Sequence, residues 1–188
     1  MIKPIETYYN GFHFRSRLEA RYAVFLDAIG AKWEYEPQGY KLGDNLYYLP
    51  DFLVHDVKGR YCGDLYIEVK GKMTDVDALK IRKFSGLEDG KIINPILVVG
   101  SIPSRSEYDI SGYDWYNMNM RSYHGMNGCD IHEFNYETID LDYFTCYPYQ
   151  YKNRAGLYLD DENGNYTCSD INIEETLVAY DIARQMRF

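Results

Sequence analysis

Three residues carry the first chemical signal in this chain: Asp51, Glu68 and Lys70. Along Asp64-Leu65-Tyr66-Ile67-Glu68-Val69-Lys70, strand alternation turns Leu65, Ile67 and Val69 to one side and sets Glu68 beside Lys70 on the other. An acid-x-Lys tripeptide arises about once per hundred residues from average composition, so alone it reads as a solvated polar strand face. Leu49-Pro50-Asp51-Phe52 strengthens the signal, because the proline holds Leu49 extended and sets Asp51 at a strand start, opposite Phe52 and Val54. Taken alone, Asp51 is an ordinary Pro-Asp turn residue; on a strand next to that of Glu68, it brings two carboxylates and a lysine together. Glu19 is a fourth candidate with two readings. It lies three residues after Ser16, where a glutamate caps its own helix. A first-turn glutamate on a core-packed helix also lies at the edge of the adjacent sheet, within reach of a metal near Asp51.

The chemistry this set suits is phosphodiester hydrolysis. A hard cation polarises the phosphate and lowers the pKa of a bound water, and magnesium is held by a few carboxylates while keeping several waters. Asp51 and Glu68, with the Val69 carbonyl and Glu19, are the expected ligands of Mg²⁺ or Mn²⁺. Lys70 is expected to orient or help deprotonate the attacking water and to stabilise developing charge. Arg15 and Arg17, at the positive end of the first helix, and Lys80 and Lys83, on the second, are candidate phosphate contacts for DNA; the ordinary reading of each is a solvated face.

The elements that must position these groups are legible in the first half. Asn10-Gly11 between aromatic residues predicts a tight hairpin over residues 7–14. Ser16-Arg17-Leu18-Glu19 opens a helix whose stripe is Leu18, Tyr22, Phe25 and Ile29, with Gly30 as its stop. Strand patterns over Lys32 to Leu42, Tyr47 to His55 and Asp64 to Lys70 predict a three-stranded meander. Thr74 and Asp77 make a second capping box for a helix to about Leu87, and Ile96-Leu97-Val98-Val99 reads as a buried strand. From Ser104 to Asp170 the pattern weakens into Tyr-rich irregular structure with a few short strands. Ile173, Leu177, Tyr180 and Met186 then predict a closing helix over about 171–187, packed on the core.

Glu19, Pro50-Asp51 and Glu68-Val69-Lys70, in the order helix, strand, strand, resemble the active-site signature of the PD-(D/E)XK nuclease superfamily. The resemblance implies an α/β, restriction-endonuclease-like core of order α-β-β-β-α-β. Tyr9 to Arg21, Trp33-Glu34-Tyr35-Glu36-Pro37 and Tyr48-Leu49-Pro50-Asp51-Phe52 are similar to small phage-encoded members, as is the closing Ala179 to Phe188. The resemblance covers about residues 8 to 100. It implies a nuclease acting on DNA, branched or single-stranded rather than a specific duplex site, encoded by a phage or prophage. Residues 1–103 are then the nuclease core, and 104–188 a C-terminal extension packed on the same domain.

Composition sets the limits. With 188 residues, one domain with a real core is the expectation. No apolar run approaches the roughly 20 residues of a membrane span, and the N-terminus lacks the apolar stretch of a signal peptide, so a cytoplasmic location is expected, in the host cell if the chain is phage-encoded. A formal net charge of −9 opposes a surface that grips nucleic acid everywhere, although basic residues can gather on one face. That charge favours the main alternative, a non-catalytic nucleic-acid binder or acidic inhibitor on the same scaffold; the complete Asp51, Glu68 and Lys70 set opposes it. Cys129, His132, Cys146 and Cys168 can be written as a zinc site of the Cys₃His kind, and a zinc-bearing C-terminal half docking a partner is a third reading. Their irregular spacing, with one close ligand pair, disfavours zinc. Tyr143 to Tyr151 can stack unpaired bases, but such residues are more often ordinary β positions. A homodimer or a protein partner is left open.

Overall fold

A computed structural model describes residues 4–59, 63–71, 74–86, 94, 96–100, 102, 144–151, 154–161 and 173–188. The chain starts with the expected hairpin: β1 (Thr7–Tyr9) and β2 (Phe12–Phe14) pair antiparallel through Asn10 and Gly11, whose φ angles of 47° and 85° suit the tight turn that Asn-Gly favours. Helix α1 (Arg17–Ala28) follows directly, with the Ser16 hydroxyl accepting the Glu19 amide, and stops at Gly30 in the left-handed region, φ 68°.

The predicted meander is present, but two of its strands are broken. Its first strand splits into β3 (Lys32–Tyr35) and β4 (Tyr40–Gly43), and its second into β5 (Leu46–Tyr48) and β6 (Phe52–Gly59); β7 (Gly63–Val69) is continuous. Glu36, at φ 46°, followed by Pro37 interrupts the first, and Pro50 the second, since proline cannot donate to a ladder. Consequently β3, β6 and β7 form the antiparallel meander, while β4 and β5 leave it as a separate two-stranded ribbon.

Helix α2 (Asp75–Ser85) starts at the complete Thr74 and Asp77 capping box and ends at Gly86, φ 84°, short of the expected Leu87. It leads to β8 (Ile96–Val99), which pairs parallel to β7. In the region expected to hold irregular structure and a few short strands, β9 (Phe144–Tyr151) and β10 (Arg154–Asp161) form an antiparallel pair of eight-residue strands. Strand β10 runs parallel to β6 at Lys58 and Gly59, giving the order β8-β7-β6-β10-β9, with β3 also on β6. The fold is therefore mixed α/β, and its sheet is larger than the first hundred residues foretell.

The closing helix α3 (Ile173–Gln185) packs back as expected: Tyr180 stacks on Phe25 of α1 with ring centroids 4.5 Å apart. The core joins Val24, Leu26, Phe52, Val54, Leu65, Ile67, Ile96 and Val98 between helices and sheet. No helix among the described residues is long and apolar enough to cross a membrane.

Candidate active site

Two aromatic clusters bring the polar residues into place. Phe14, fully buried, lies 4.4 Å from the Tyr35 ring and 6.2 Å from the Phe52 ring, which fixes the end of β2 against β3 and β6. Arg15 and Asp51 are the chain neighbours of Phe14 and Phe52, so anchoring those rings delivers a guanidinium to a carboxylate. On the other side, Tyr40, Tyr48 and Tyr66 surround Phe84 of α2 with centroids 4.8, 4.9 and 4.8 Å away. That packing closes α2 and the β4–β5 ribbon over the face of β7 that carries Glu68.

The solvated-face reading of β7 is overturned by this cover. Glu68 and Asp51 are each only 2% exposed, although strand alternation alone suggested a polar surface. Burial of carboxylates at this depth demands partners, and they are present. Tyr48 Oη donates to Glu68 Oε2 at 2.6 Å, and Lys70 Nζ lies 2.7 Å from Glu68 Oε1. Asp51 Oδ2 accepts the Val69 amide at 2.7 Å, and Oδ1 is bonded by the Arg15 guanidinium. The Asp51 carbonyl accepts the Glu36 amide at 2.9 Å, fixing the backbone too. Val69 thus meets Asp51 through its N–H, a contact the expected carbonyl role did not foresee.

Glu19 joins the cluster while also serving its helix. Its Oε1 accepts the Ser16 hydroxyl at 2.7 Å, and Oε2 accepts the Tyr35 hydroxyl at 2.6 Å and the Arg15 amide at 3.2 Å. The return bond of a capping box, to the Ser16 amide, is replaced by that to Arg15. Arg15 bridges the acids: its Nε stands 2.7 Å from Glu36 Oε1 and 3.9 Å from Glu19 Oε2, with Asp51 on its other arm. Of the four expected phosphate contacts, Arg15 is therefore drawn among the carboxylates, Lys80 borders the cleft described below, and Arg17 and Lys83 are exposed on their helices.

Electrostatics follow from this crowding. Burial, then the nearby Glu68 charge, push the Asp51 carboxyl up to about 8, and the Val69 amide and Arg15 offset this only in part. Burial works against the Lys70 ammonium, but Glu68, Asp51 and Asp77 outweigh it and raise its pKa. Asp77, 3.4 Å from Lys70, is held below the usual carboxylate range: desolvation is outweighed by Thr74 and Lys70. Desolvation and Glu68 likewise push the Tyr48 phenol well up, so it stays a donor.

These groups open on a cleft of about 510 Å³ bordered by Arg15, Lys41, Glu68, Lys70, Asp77 and Lys80, together with Tyr40, Tyr47 and Tyr48. Among the described residues, no three His, Cys, Asp or Glu side chains form a ready-made metal group. The donor set nevertheless fits a hard divalent cation, which needs only one or two carboxylates when water and phosphate supply the rest. Asp51 and Glu68 are buried oxygen donors whose mutual repulsion a cation would relieve.

Sequence reasoning missed Tyr35, Glu36 and Tyr48, and read Asp77 only as a cap. Tyr48 and Glu36 find their partners 20 and 21 residues away, and one sequence carries no signal for such a pairing. Asp77 could have been found, because the capping register puts it on the first turn of the helix after Lys70. Of the zinc candidates, Cys129, His132 and Cys168 lie outside the described residues, as does the Cys146 side chain; the same holds for the side chains of the Tyr-rich stretch. Comparison of the chain with protein-family models, curated proteins and solved structures found no match.

Proposed function

We propose that the chain is a Mg²⁺- or Mn²⁺-dependent nuclease that hydrolyses phosphodiester bonds in DNA, with a restriction-endonuclease-like core of the PD-(D/E)XK type. The observation that carries this reading is the meeting of Asp51 and Glu68, both buried, with Lys70 on Glu68 at the wall of an open cleft. The order α1, β3, β6, β7, α2, β8 supports the core assignment, with the β4–β5 ribbon as an insertion.

Asp51 and Glu68 would hold the cation, with Glu19 behind them. When bound, the cation supplies a polarised phosphate and a water of lowered pKa. Lys70 then has the position to orient that water and to stabilise negative charge on the phosphate. Tyr48 and the Val69 amide fix the two carboxylates, so little reorganisation is left for the reaction itself. Arg15 holds Asp51 in the metal-free protein and stands next to the place where a phosphate would lie.

One observation favours a second reading, a non-catalytic binder or inhibitor on this scaffold: Asp51 and Glu68 are each already paired with a cation of the chain, Arg15 and Lys70. Incubation with duplex, single-stranded, flap and four-way-junction DNA, and with RNA, with and without Mg²⁺, separates the two. The nuclease reading expects cation-dependent cleavage of at least one DNA, lost in Asp51→Asn and Glu68→Gln. Absence of cleavage throughout, or an Asp51→Asn variant as active as the wild type, makes the binder the better account.

A further inference from the structure

The ribbon β4–β5 forms one wall of the cleft, and its two faces differ. Tyr40 and Tyr48, cross-strand partners, turn inward over Phe84 and Glu68. Lys41 and Tyr47 are the next pair, on the opposite face by strand alternation, and both are exposed, Tyr47 by 62%. Both pairs border the cleft, so the outward pair forms its rim. The chain carries a net charge of −9, and inside the cleft Arg15 and Lys70 are matched by Asp51, Glu36, Glu68 and Asp77, yet the cleft border also carries Lys41 and Lys80. Two lysines at one border of an otherwise acidic protein give a local positive rim suited to a polyanion. An exposed ring beside an exposed ammonium adds a flat apolar surface at that entrance.

From these observations we infer that Tyr47 and Lys41 form a binding site for an unpaired DNA nucleotide, Tyr47 stacking on the base while Lys41 and Lys80 take the flanking phosphates. In a continuous duplex each base face is covered by its neighbours, so a rim tyrosine has nothing to stack on. A single strand or flap offers the free face, and stacking tolerates any base. The ligand class is therefore single-stranded DNA or the unpaired part of a branched one. This rests on the nuclease reading only for what happens after binding; the site itself is defined by the ribbon and the cleft.

The test is binding by the full chain in EDTA, read by fluorescence anisotropy with a labelled oligo-dT strand and with a duplex of equal length. Tyr47→Ser should weaken single-strand binding roughly 5- to 150-fold, the range that one lost base stack represents, and leave duplex binding unchanged. Tyr47→Phe keeps the ring and should bind like the wild type. Lys41→Ala should lower the salt slope for the single strand by about 0.7. Matching melting temperatures establish that the variants fold. Wild type that does not bind the strand, Tyr47→Ser that binds it as wild type does, or equal losses for strand and duplex would overturn the inference. A chain that binds in this way but never cleaves defeats the nuclease reading alone. One that cleaves while Tyr47→Ser is silent defeats this inference alone.

Discussion

Asp51→Asn should move stability and activity in opposite directions above neutral pH. In the folded, metal-free protein, burial and Glu68 raise this carboxyl from the ordinary 3.8 to about 8. Between those values the folded chain keeps a proton that the unfolded chain has lost. The stability from that proton is complete below about pH 4 and drains away as the pH rises toward 8. One proton gives at most about 1.4 kcal/mol per pH unit, roughly 3–5 °C of Tm for a chain of this size. Over the window the loss is on the order of 5 kcal/mol. Asparagine removes this titration but sets an amide against Arg15, at a cost of about 1–2 kcal/mol. The two Tm curves should therefore cross near pH 5: the variant is less stable than wild type below about pH 4 and more stable above about pH 8. His55 has a raised pKa, burial being outweighed by Asp64 and Glu34, and gives a trend of the same sign in both proteins, so it cancels in the comparison. Mg²⁺ at one hundred times its dissociation constant should add about 2.7 kcal/mol to the wild type at pH 8, less at pH 5 where the proton competes, and nothing to the variant. Thermal melts in EDTA and in Mg²⁺ across this range supply the data. Parallel curves for the two proteins, or an equal Mg²⁺ response in both, would refute the reasoning and place Asp51 as a carboxylate that Arg15 already neutralises.

Further expectations concern single side chains. Tyr48→Phe removes the only hydroxyl bonded to Glu68 Oε2 among the described residues, so it should cost about 1–3 kcal/mol in denaturant melts and reduce cleavage together with it; unchanged stability and activity would count against a positioning role. Ser16→Ala should cost about 1 kcal/mol through the lost cap of α1, whereas Glu19→Gln should mainly weaken metal-dependent activity; the reverse pattern, by melting and cleavage assays, would make Glu19 a cap alone. Lys80→Ala should lower the salt slope of DNA binding by about one unit, and Lys83→Ala by less, since Lys80 borders the cleft and Lys83 does not; equal effects in a salt titration would argue for a broader contact surface.

The sequence by itself determined the local elements of the first hundred residues. Asn10-Gly11, Ser16, Gly30, Thr74 and Asp77 act through bonds and φ angles within a few residues of themselves, so the hairpin and both helix starts were readable. It also determined that Glu68 and Lys70 share a face and that Asp51 stands at the entry to a strand, immediately before β6, because alternation and the proline are local effects. Tertiary structure alone decided that the shared face is covered, by Phe84 and three tyrosines from separate segments, and hence that Glu68 is a buried acid and not a surface one. It decided the place of Arg15, which reads as a surface cation until Phe14 and Phe52 pack and bring it to Asp51. It decided the added pair β9 and β10, whose alignment with β6 spans about a hundred residues of chain and leaves no periodic mark in one sequence. Charges such as those of Arg15 and Asp51, 36 residues apart, become neighbours only through such packing, and the chemistry of this cleft depends on their being so.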